Sequence, residues 1–307
     1  MNPMNARTSP SGKFSLYLLL PLLAGICWGT TGSFVRVLSG YALSNATILF
    51  SRCMPGTCIL FVIILLYDRT LLKFRLKDIW IFLCCSLIGM LGLNLCYNFA
   101  IVRLSLSFAA VLLSMSPVFV LLLAAVFFHE KITKRKVLCI LLALLGCILV
   151  SGLLDSIGSA SLSAAGIFVG VCSAFFYAIY SIFLKMAANR GYHSLTITFY
   201  CMLFLMLALI PLASFSEFGS YLQASPANAF FLLLPALLNA VLPYIFFNIG
   251  MAKAQAGIAS TLAAGGEPAT ATVLGVFIFS EGPTILTITG LIITILAMAL
   301  LLRNPAD

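Results

Sequence analysis

Charged residues are scarce in this sequence of 307 residues: only 8% are Asp, Glu, Lys or Arg, whereas 63% are hydrophobic. In soluble domains about a quarter of the residues are charged, because the surface must be covered by groups that water can solvate. The mean hydropathy of +1.17 points in the same direction. The composition therefore excludes a water-soluble globule and predicts an integral membrane protein.

Groups that carry enzymatic or metal chemistry are also few. The two histidines stand at predicted helix ends, and the ten cysteines fall in apolar segments without a paired CxxC motif. Buried cysteine behaves as a small apolar residue. An intramembrane enzyme would need an acid pair or a metal cluster, and neither pattern is present. We therefore expect no enzymatic activity, no metal and no cofactor.

The net charge of +9 does not indicate a nucleic-acid partner. The basic residues are dispersed in loops, without the interleaved aromatic residues of a nucleic-acid surface. We expect the lipid bilayer, including its anionic headgroups, to be the partner of these charges.

Long apolar runs make up nearly the whole chain. A helix needs about 20 apolar residues to cross ~30 Å of hydrocarbon, and these runs do not alternate apolar and polar residues as the strands of a membrane barrel do. The sequence predicts an all-α integral membrane protein with ten transmembrane helices. We number them spans 1 to 10: 16–35, 43–66, 79–101, 104–128, 136–153, 163–184, 194–214, 229–250, 254–279 and 285–302.

Basic residues set the expected orientation, because Lys and Arg concentrate in short cytoplasmic loops. With ten spans and a cytoplasmic N-terminus, 14 of the 17 basic residues lie inside, Arg36 and Arg103 lie outside, and Arg52 lies within span 2. Adding or removing one span would destroy this bias. The sequence therefore predicts a multi-pass protein of the inner cell membrane with both termini in the cytoplasm.

The second half of the chain repeats the first at a shift of about 150 residues. The matching positions are Trp28 with Tyr177, Arg36 with Lys185, Asn98 with Asn248, Pro117 with Pro268, and Glu130 with Glu281. This predicts a tail over 1–15 and two five-helix repeats over 16–151 and 163–302. Because five is odd, the second copy enters the membrane from the opposite side, which gives the inverted repeats of alternating-access carriers.

Several of these residues together resemble a known family. The segments SPVFVLLLAAVFFHE (116–130) and GEPATATVLGVFIFSE (266–281), with Trp28-Gly29 in span 1, Arg36 at its end and Arg52 in span 2, are similar to the duplicated EamA module of the drug/metabolite transporter superfamily. The resemblance implies a carrier of small metabolites, frequently an exporter of amino acids or related compounds. It also implies a central cavity between spans 1–4 and 6–9, with spans 5 and 10 at the periphery.

Glu267 and Arg52 are the most pointed functional candidates, because both lie near the middle of a predicted span. A charged group at the bilayer centre costs at least ~2.5–3.5 kcal/mol on insertion scales, so it tends to face a partner or water. Glu267 could line the pathway and pair with Arg52, bind a cationic substrate group or carry a proton. The alternatives are a fixed ion pair, or two groups satisfied separately by neighbouring polar atoms.

Other polar and aromatic residues of the spans are candidates for the same pathway. They are Trp28, Asn94, Asn98, Tyr177, Tyr180, Asn239, Tyr244 and Asn248. The asparagines could hydrogen-bond a solute or join helices, which is worth only about 0.6 kcal/mol per bond on average. The aromatic residues could equally anchor the helices at the membrane interface.

Proline and small residues suggest two further features. Pro117 and Pro268 interrupt spans 4 and 9 near their middles, so these helices could flex there during gating or carry static kinks.

Ala143 and Gly146 in span 5, like Gly290 and Ala297 in span 10, permit close helix packing. A homodimer formed through that surface is one option.

These observations predict a carrier that moves a small polar or amphipathic metabolite outward by alternating access, with proton coupling as an option through Glu267. Two alternatives stay open. One is an importer or exchanger of a sugar- or nucleotide-like solute. The other is a membrane sensor or assembly subunit that binds without translocating, against which the lack of a soluble effector domain weighs.

Overall fold

The computed structural model describes residues 16–104, 106–150, 163–279 and 284–303, and every regular element in these ranges is helical. The prediction of an all-helical class is confirmed. The α-helices are α1 Leu19–Gly29, α2 Thr31–Ser39, α3 Asn45–Tyr67, α4 Ile79–Leu83, α5 Gly92–Arg103, α6 Leu106–Leu113, α7 Ser116–Phe128, α8 Lys134–Val150, α9 Ala164–Asn189, α10 Ser194–Leu209, α11 Phe215–Ala224, α12 Pro226–Pro235, α13 Leu242–Lys253, α14 Ala256–Phe279 and α15 Ile285–Arg303. Two π-helical segments, Cys84–Leu91 and Ala236–Val241, join α4 to α5 and α12 to α13.

Six helical stretches are long and apolar enough to cross a membrane. They are Leu19–Ser39, Asn45–Tyr67, Leu76–Ala100, Val111–Phe128, Ala164–Asn189 and Pro226–Lys253. Two shorter apolar helices, Ser194–Leu209 and Ile285–Leu300, follow predicted spans 7 and 10. The count of ten spans stays a prediction. The short helix α11 lies between predicted spans 7 and 8 and was not foreseen, and the predicted tail 1–15 lies outside the described residues.

Helix packing repeats itself when the two halves of the chain are exchanged. The first helix of the first half, α1, packs on α13 and α14, and the first helix of the second half, α9, packs on α5 and α7. The pairs α3 with α10, α7 with α14, and α8 with α15 each join corresponding helices of the two halves. These contacts between the halves thus have counterparts, as expected for two copies of one unit that face each other.

The small residues of predicted spans 5 and 10 pack α8 against α15 within the chain. A Cβ added at Gly146 would collide with the Thr294 side chain, and one at Gly290 would lie 2.7 Å from the carbonyl oxygen of Gly146. Ala143 is also buried, as is Ala297. The two helices use these small residues for their own close approach. The homodimer stays a prediction.

The contact between α1 and α14 depends on Gly25. A Cβ at this position would overlap the backbone carbonyl of Ala263, and backbone cannot rotate away as a side chain can. Ala24 and Ala263 beside the contact are fully buried. The two helices, which come from different halves, therefore meet backbone to backbone at this point.

A Gly25→Ala variant is expected to unfold more easily than the wild type by about 1–3 kcal/mol, the usual cost of overpacking. The loss should appear even though alanine is the better helix former. Reversible unfolding in mixed micelles measures it. Gly219→Ala in α11 is the matched control, because a Cβ there meets no atom within 4 Å; equal stability of the two variants would contradict the tight contact.

The two π-helical segments occupy corresponding places in the two halves. A shift of 150 residues carries Cys84–Leu91 onto positions 234–241, which contain Ala236–Val241. The first packs on α9 and α10, and the second on α1 and α3, so each contacts helices of the first two predicted spans of the opposite half. π-helical turns are rare and frequently mark functional sites. Apolar periodicity does not distinguish them from α-helix, so the sequence did not predict them.

The two matching prolines lie in different settings. Pro268 stands inside the continuous helix α14, as expected. Pro117 instead lies in the first turn of α7, after a turn at Ser114 and Met115 that separates α6 from α7. Pro117 therefore does not bend a continuous helix, because a proline in the first helical turn replaces an N–H that has no intrahelical acceptor anyway.

Candidate functional site

A cavity of about 280 Å³ lies between the two halves of the chain. Helices α1, α2, α3, α5, α6, α9, α13 and α14 and the second π-helical segment contribute to its wall. Nine of the ten predicted pathway residues line it: Trp28, Arg52, Asn94, Asn98, Tyr177, Tyr180, Asn239, Tyr244 and Glu267. The structure therefore brings together residues that are up to about 240 positions apart in the sequence.

Thr31 and Asn45, which the sequence did not suggest as pathway residues, also line the cavity. Thr31, Asn45 and Tyr97 add polar groups, and Gly32 leaves open space beside them. Asn45 is the first residue of α3, and its neighbour Ser44 caps this helix. A polar residue at a helix start usually serves as a cap or faces solvent, so the sequence alone offered no reason to place Asn45 in a cavity.

The cavity extends toward one end of the helix bundle. Apart from Trp28 in α1 and Leu113 in α6, its first-half residues lie in α2, in the N-terminal half of α3 and in α5. Because short connections join consecutive spans antiparallel, the end of α2, the start of α3 and the end of α5 lie at the same side. The second half contributes residues from the middle of its long helices. We call this side the cavity end and the opposite side the Lys185 end.

An aromatic wall stands at the deep part of the cavity. The Trp28 ring lies 5.2 Å from Tyr244 and 6.3 Å from Tyr177, and Tyr180 lies 5.9 Å from Tyr244, all in edge-to-face arrangements. Trp28 and Tyr177, which match in the repeat, thus face each other across the interface of the two halves. Edge-to-face contacts add about 0.5–1.5 kcal/mol each beyond area burial. The rings therefore form a fixed surface against which an apolar part of a solute can rest.

Arg52 and Glu267 both line the cavity, and no ion pair between them is found in the described part of the chain. The Arg52 Nη2 group donates instead to Asn94 Oδ1 at 3.0 Å. Asn94 Nδ2 in turn donates to the carbonyl oxygen of Met90 at 2.7 Å. Within residues 16–104, 106–150, 163–279 and 284–303, Glu267 receives no hydrogen bond. The fixed ion pair, one of the expected alternatives, is thus not present in this conformation.

The two asparagines of the second half have different environments. Asn239 lines the cavity, and its Nδ2 donates to the Cys27 carbonyl at 3.1 Å and to Thr30 Oγ1 at 2.8 Å. These bonds join the second π-helical segment to the break between α1 and α2. Asn248 does not line the cavity, because it is buried between Tyr180 and Thr198. It accepts from the Tyr180 hydroxyl at 3.2 Å and donates to Thr198 Oγ1 at 2.7 Å. In this conformation it joins helices.

Four helices are tied together at the Lys185 end by one ion pair. Lys185 Nζ, on α9, lies 2.6 Å from Glu130 Oε1, directly after α7, and it also donates to the Ala254 carbonyl at 2.8 Å. Glu130 Oε1 accepts from the backbone N–H of Ala256 at 3.0 Å, at the start of α14. Both charged side chains are largely buried, at 11% and 8% exposure. The Lys185 ammonium also faces the Phe128 ring, 5.6 Å from its centre.

Glu130 is followed directly by Lys131 in the sequence, but its ion-pair partner is a different residue. The partner is Lys185, which comes from the other half of the chain. The repeat contained an indication, since Glu130 matches Glu281 and Lys185 matches Arg36, but only the fold shows that a closing acid meets a basic residue across the halves. Glu281 lies outside the described residues.

A second tie lies at the same end. Asp78, at the start of the third span, accepts hydrogen bonds from Arg190 and from the Tyr192 hydroxyl, the latter at 2.6 Å. Arg190 also stacks over the Trp80 ring at 5.5 Å. The end of α9 is thereby held to the start of α4, which leaves the Lys185 end closed by polar contacts between the two halves.

At the cavity end, α11 is attached to the start of α3. Glu217 Oε2 accepts from the backbone N–H of Ser44 at 2.8 Å, and the Ser214 N–H donates to Thr47 Oγ1 at 3.0 Å. The hydrogen bond from the Ser44 N–H is the main reason why the pKa of the Glu217 carboxyl lies below its ordinary value. Helix α11 therefore lies beside the rim of the cavity.

Comparison with known proteins agrees with this architecture. The EamA-like transporter family matches residues 15–152 and 164–303 of the chain, and the chain belongs to this family. It is a multi-pass membrane protein of the drug/metabolite transporter type. The resemblance stated from the sequence is confirmed.

Individual relatives cover nearly the full length. The chain is 27% identical over 287 residues to the pseudopaline exporter CntI of Pseudomonas aeruginosa (strain UCBPP-PA14), covering 94% of this chain and 96% of that exporter. It is 25% identical over 298 residues to the uncharacterized transporter YxxF of Bacillus subtilis (strain 168), covering 95% and 91%. One crystal structure aligns with a TM-score of 0.72 at 14% identity, covering 94% and 96%, and shows that the fold is shared.

Proposed function

We propose that the protein exports a small metabolite, an amino acid or a related compound, by alternating access through the cavity between its halves. One observation carries this proposal: the cavity is built at the interface of two repeats, extends toward one end and is closed toward the other by the Glu130–Lys185 contacts. An interface of inverted repeats near the bilayer midplane is where carriers of this construction bind their substrates.

The conformation corresponds to a carrier open to the outside. We propose that residues 16–151 and 163–302 form two inverted five-helix repeats, ten spans in all, with both termini in the cytoplasm. The end of α2 and the start of α3 then face outward, and the Lys185 end faces the cytoplasm. Rocking of one half against the other would separate the Lys185 end and close the cavity end.

The cavity wall suits a dipolar solute. Arg52 on α3 and Glu267 on α14 offer opposite charges on different halves, with the rings of Trp28 and Tyr177 between the two repeats. A volume of about 280 Å³ is at the lower limit of typical ligand pockets, which measure about 300–1,000 Å³. These features support an amino-acid-sized solute with a cationic and an anionic group over a sugar- or nucleotide-like solute.

The direction of transport is supported by a relative. The similar protein of Pseudomonas aeruginosa is named an exporter of pseudopaline. Import or exchange of a sugar- or nucleotide-like solute is the second candidate within transport, and a non-transporting sensor or assembly subunit is the third. The cavity extends toward one end of the bundle, and polar contacts close the other end. This arrangement favours translocation over static binding.

Flux measurements in proteoliposomes test the proposal. Vesicles with the purified protein are loaded with radiolabelled amino acids, sugars or nucleosides, and release and uptake are followed with and without a pH gradient. Saturable flux of amino acids that exceeds protein-free vesicles is the expected result, and a pH-gradient effect would identify proton coupling. Saturable flux of sugars or nucleosides alone would contradict the substrate class, and binding without flux of any solute would contradict transport.

The prolines are expected to differ in their effect on this flux. Pro268 lies inside α14 directly after Glu267 and lacks the N–H that would close a helical turn there, so α14 can bend at this point. We expect Pro268→Ala to slow flux severalfold. Pro117→Ala should have less effect, because the break before α7 does not depend on it. Initial rates in proteoliposomes measure both, and normal flux in both variants would leave the prolines without a role in gating.

A further inference from the structure

We infer that Arg52 is a binding site for an anionic group, held in place by a relay through Asn94 to Met90. This inference rests on the proposed function, since it identifies the chemistry that one end of the transported solute must carry. The group is a carboxylate of the solute or, by the same chemistry, a free inorganic anion that enters the cavity.

The relay fixes where the guanidinium points. The Met90 carbonyl belongs to the first π-helical segment and accepts from Asn94 Nδ2 at 2.7 Å. Because a carbonyl oxygen can only accept, this bond determines which way the Asn94 amide faces. Its Oδ1 is therefore turned toward Arg52 and accepts from Nη2 at 3.0 Å. Met90 is fully buried, so the chain of bonds is anchored in the packed interior.

The relay leaves the charge of Arg52 uncompensated. A guanidinium has five N–H donors and keeps its charge in proteins, whereas Asn94 is neutral and takes one donor. No carboxylate in the described ranges forms an ion pair with Arg52. A positive charge within a membrane span is costly unless it faces a partner or water. Arg52 lines the cavity, and a guanidinium has the fork geometry that binds a carboxylate through two parallel hydrogen bonds.

Only the first half of the chain contains this site. The helix caps Ser44 and His193 correspond at a shift of 149, so Cys201 occupies the position that matches Arg52. Tyr244 occupies the position that matches Asn94 at a shift of 150. The asymmetry gives the solute one orientation, with its anionic group toward α3 and the opposite end toward Glu267 on α14.

Binding can be measured without transport, because the chain has only two tryptophans. Trp28 lines the cavity, whereas Trp80 packs on Phe183 and Arg190 at the Lys185 end. In a Trp80→Phe background the fluorescence of the full-length protein in nanodiscs therefore reports on the cavity. The probes are alanine, leucine and phenylalanine, each paired with its α-amide, which retains the amine and side chain but lacks the carboxylate.

Each bound amino acid is expected to have an affinity at least about tenfold higher than its amide, since hydrogen bonds to charged groups are the strong ones. Asn94→Asp places a carboxylate beside the guanidinium and should abolish this preference. Asn94→Asp also loses the hydrogen bond to Met90, because a carboxylate cannot donate. Arg52→Gln therefore serves as a second variant that removes the charge itself, and it should abolish the preference as well. Asn189→Asp, exposed at the other end of the bundle, adds the same charge and should leave the preference intact.

Each outcome decides between the possibilities. Equal binding of acid and amide, a preference that survives in both variants, or no binding of any carboxylate would overturn the anion site. Sodium chloride alone is titrated as well. If it gives the same change in Trp28 fluorescence, and this change is lost in Arg52→Gln, the result would support the site with an inorganic anion as its ligand. Carboxylate-selective binding without flux in proteoliposomes would contradict the proposed transport while leaving the site standing, and flux without selectivity would do the reverse.

Discussion

Flux of the transported metabolite is expected to fall by at least about tenfold when Glu267 is replaced by glutamine. Glu267 is the only acidic side chain that lines the cavity within the described residues, and it receives no hydrogen bond from them. Glutamine preserves its size but removes the charge that a cationic group or a proton would need. Hydrogen bonds to charged groups are worth about 1.5–3 kcal/mol, which corresponds to a change of about ten- to 150-fold.

The experiment compares initial rates of flux in proteoliposomes at matched protein content. Asp68→Asn is the matched control, because Asp68 lies in the loop after α3, far from the cavity. There its Oδ1 accepts from the Thr70 N–H at 2.8 Å. Repeating both measurements with an imposed pH gradient separates the two roles. If Glu267 carries a proton, the gradient effect disappears in the variant; if it holds a cationic group, the affinity for cationic solutes falls. Unchanged flux would make Glu267 a structural residue.

Replacement of Lys185 by methionine is expected to destabilise the closed Lys185 end by about 3–5 kcal/mol. The variant leaves the largely buried carboxylate of Glu130 without its cation, although one oxygen keeps the Ala256 N–H. Breaking a buried pair by removing one partner is costly because the remaining charge stays desolvated. The conformation that opens this end should therefore become more populated, since water can then reach Glu130.

Hydrogen exchange measures this change directly. The Ala256 amide donates to Glu130, so the first turn of α14 should exchange faster in Lys185→Met. Lys134→Met at the exposed start of α8 provides the same chemical change as a control. Adding Glu130→Gln to Lys185→Met removes the unpaired charge and should restore part of the lost protection. Exchange at wild-type rates in Lys185→Met would show that this ion pair does not hold the end closed.

The two charge sites also divide the mechanism into separate tasks. Under the proposed function, Arg52 and Glu267 act inside the cavity, and Glu130 with Lys185 acts at the end that must open to the cytoplasm. The variants should therefore differ in kind. Cavity variants change which solute is bound and how tightly, whereas Lys185→Met changes the balance between conformations.

Much of the site was predictable because the membrane makes polar residues conspicuous. In an apolar helix each Asn, Arg or Glu is expensive, so its presence marks a partner or a pathway. This argument identified five residues that line the cavity: Arg52, Asn94, Asn98, Asn239 and Glu267. It could not tell which of Asn98 and Asn248 lines the cavity, because both are asparagines at matching positions of the repeat. In the structure Asn98 lines the cavity, whereas Asn248 is buried against Tyr180.

The sequence by itself determined the class of protein, because apolar runs of helical length have no other stable arrangement in lipid, and the repeat determined that two similar halves face each other. It also showed the family through the two proline-containing segments. Only the tertiary structure decided the partners: Arg52 with Asn94, Glu130 with Lys185, and the two π-helical segments against the opposite halves. The physical reason is range. Hydropathy and repeat spacing act along the chain, whereas each of these contacts joins different helices, which become neighbours only when the bundle packs.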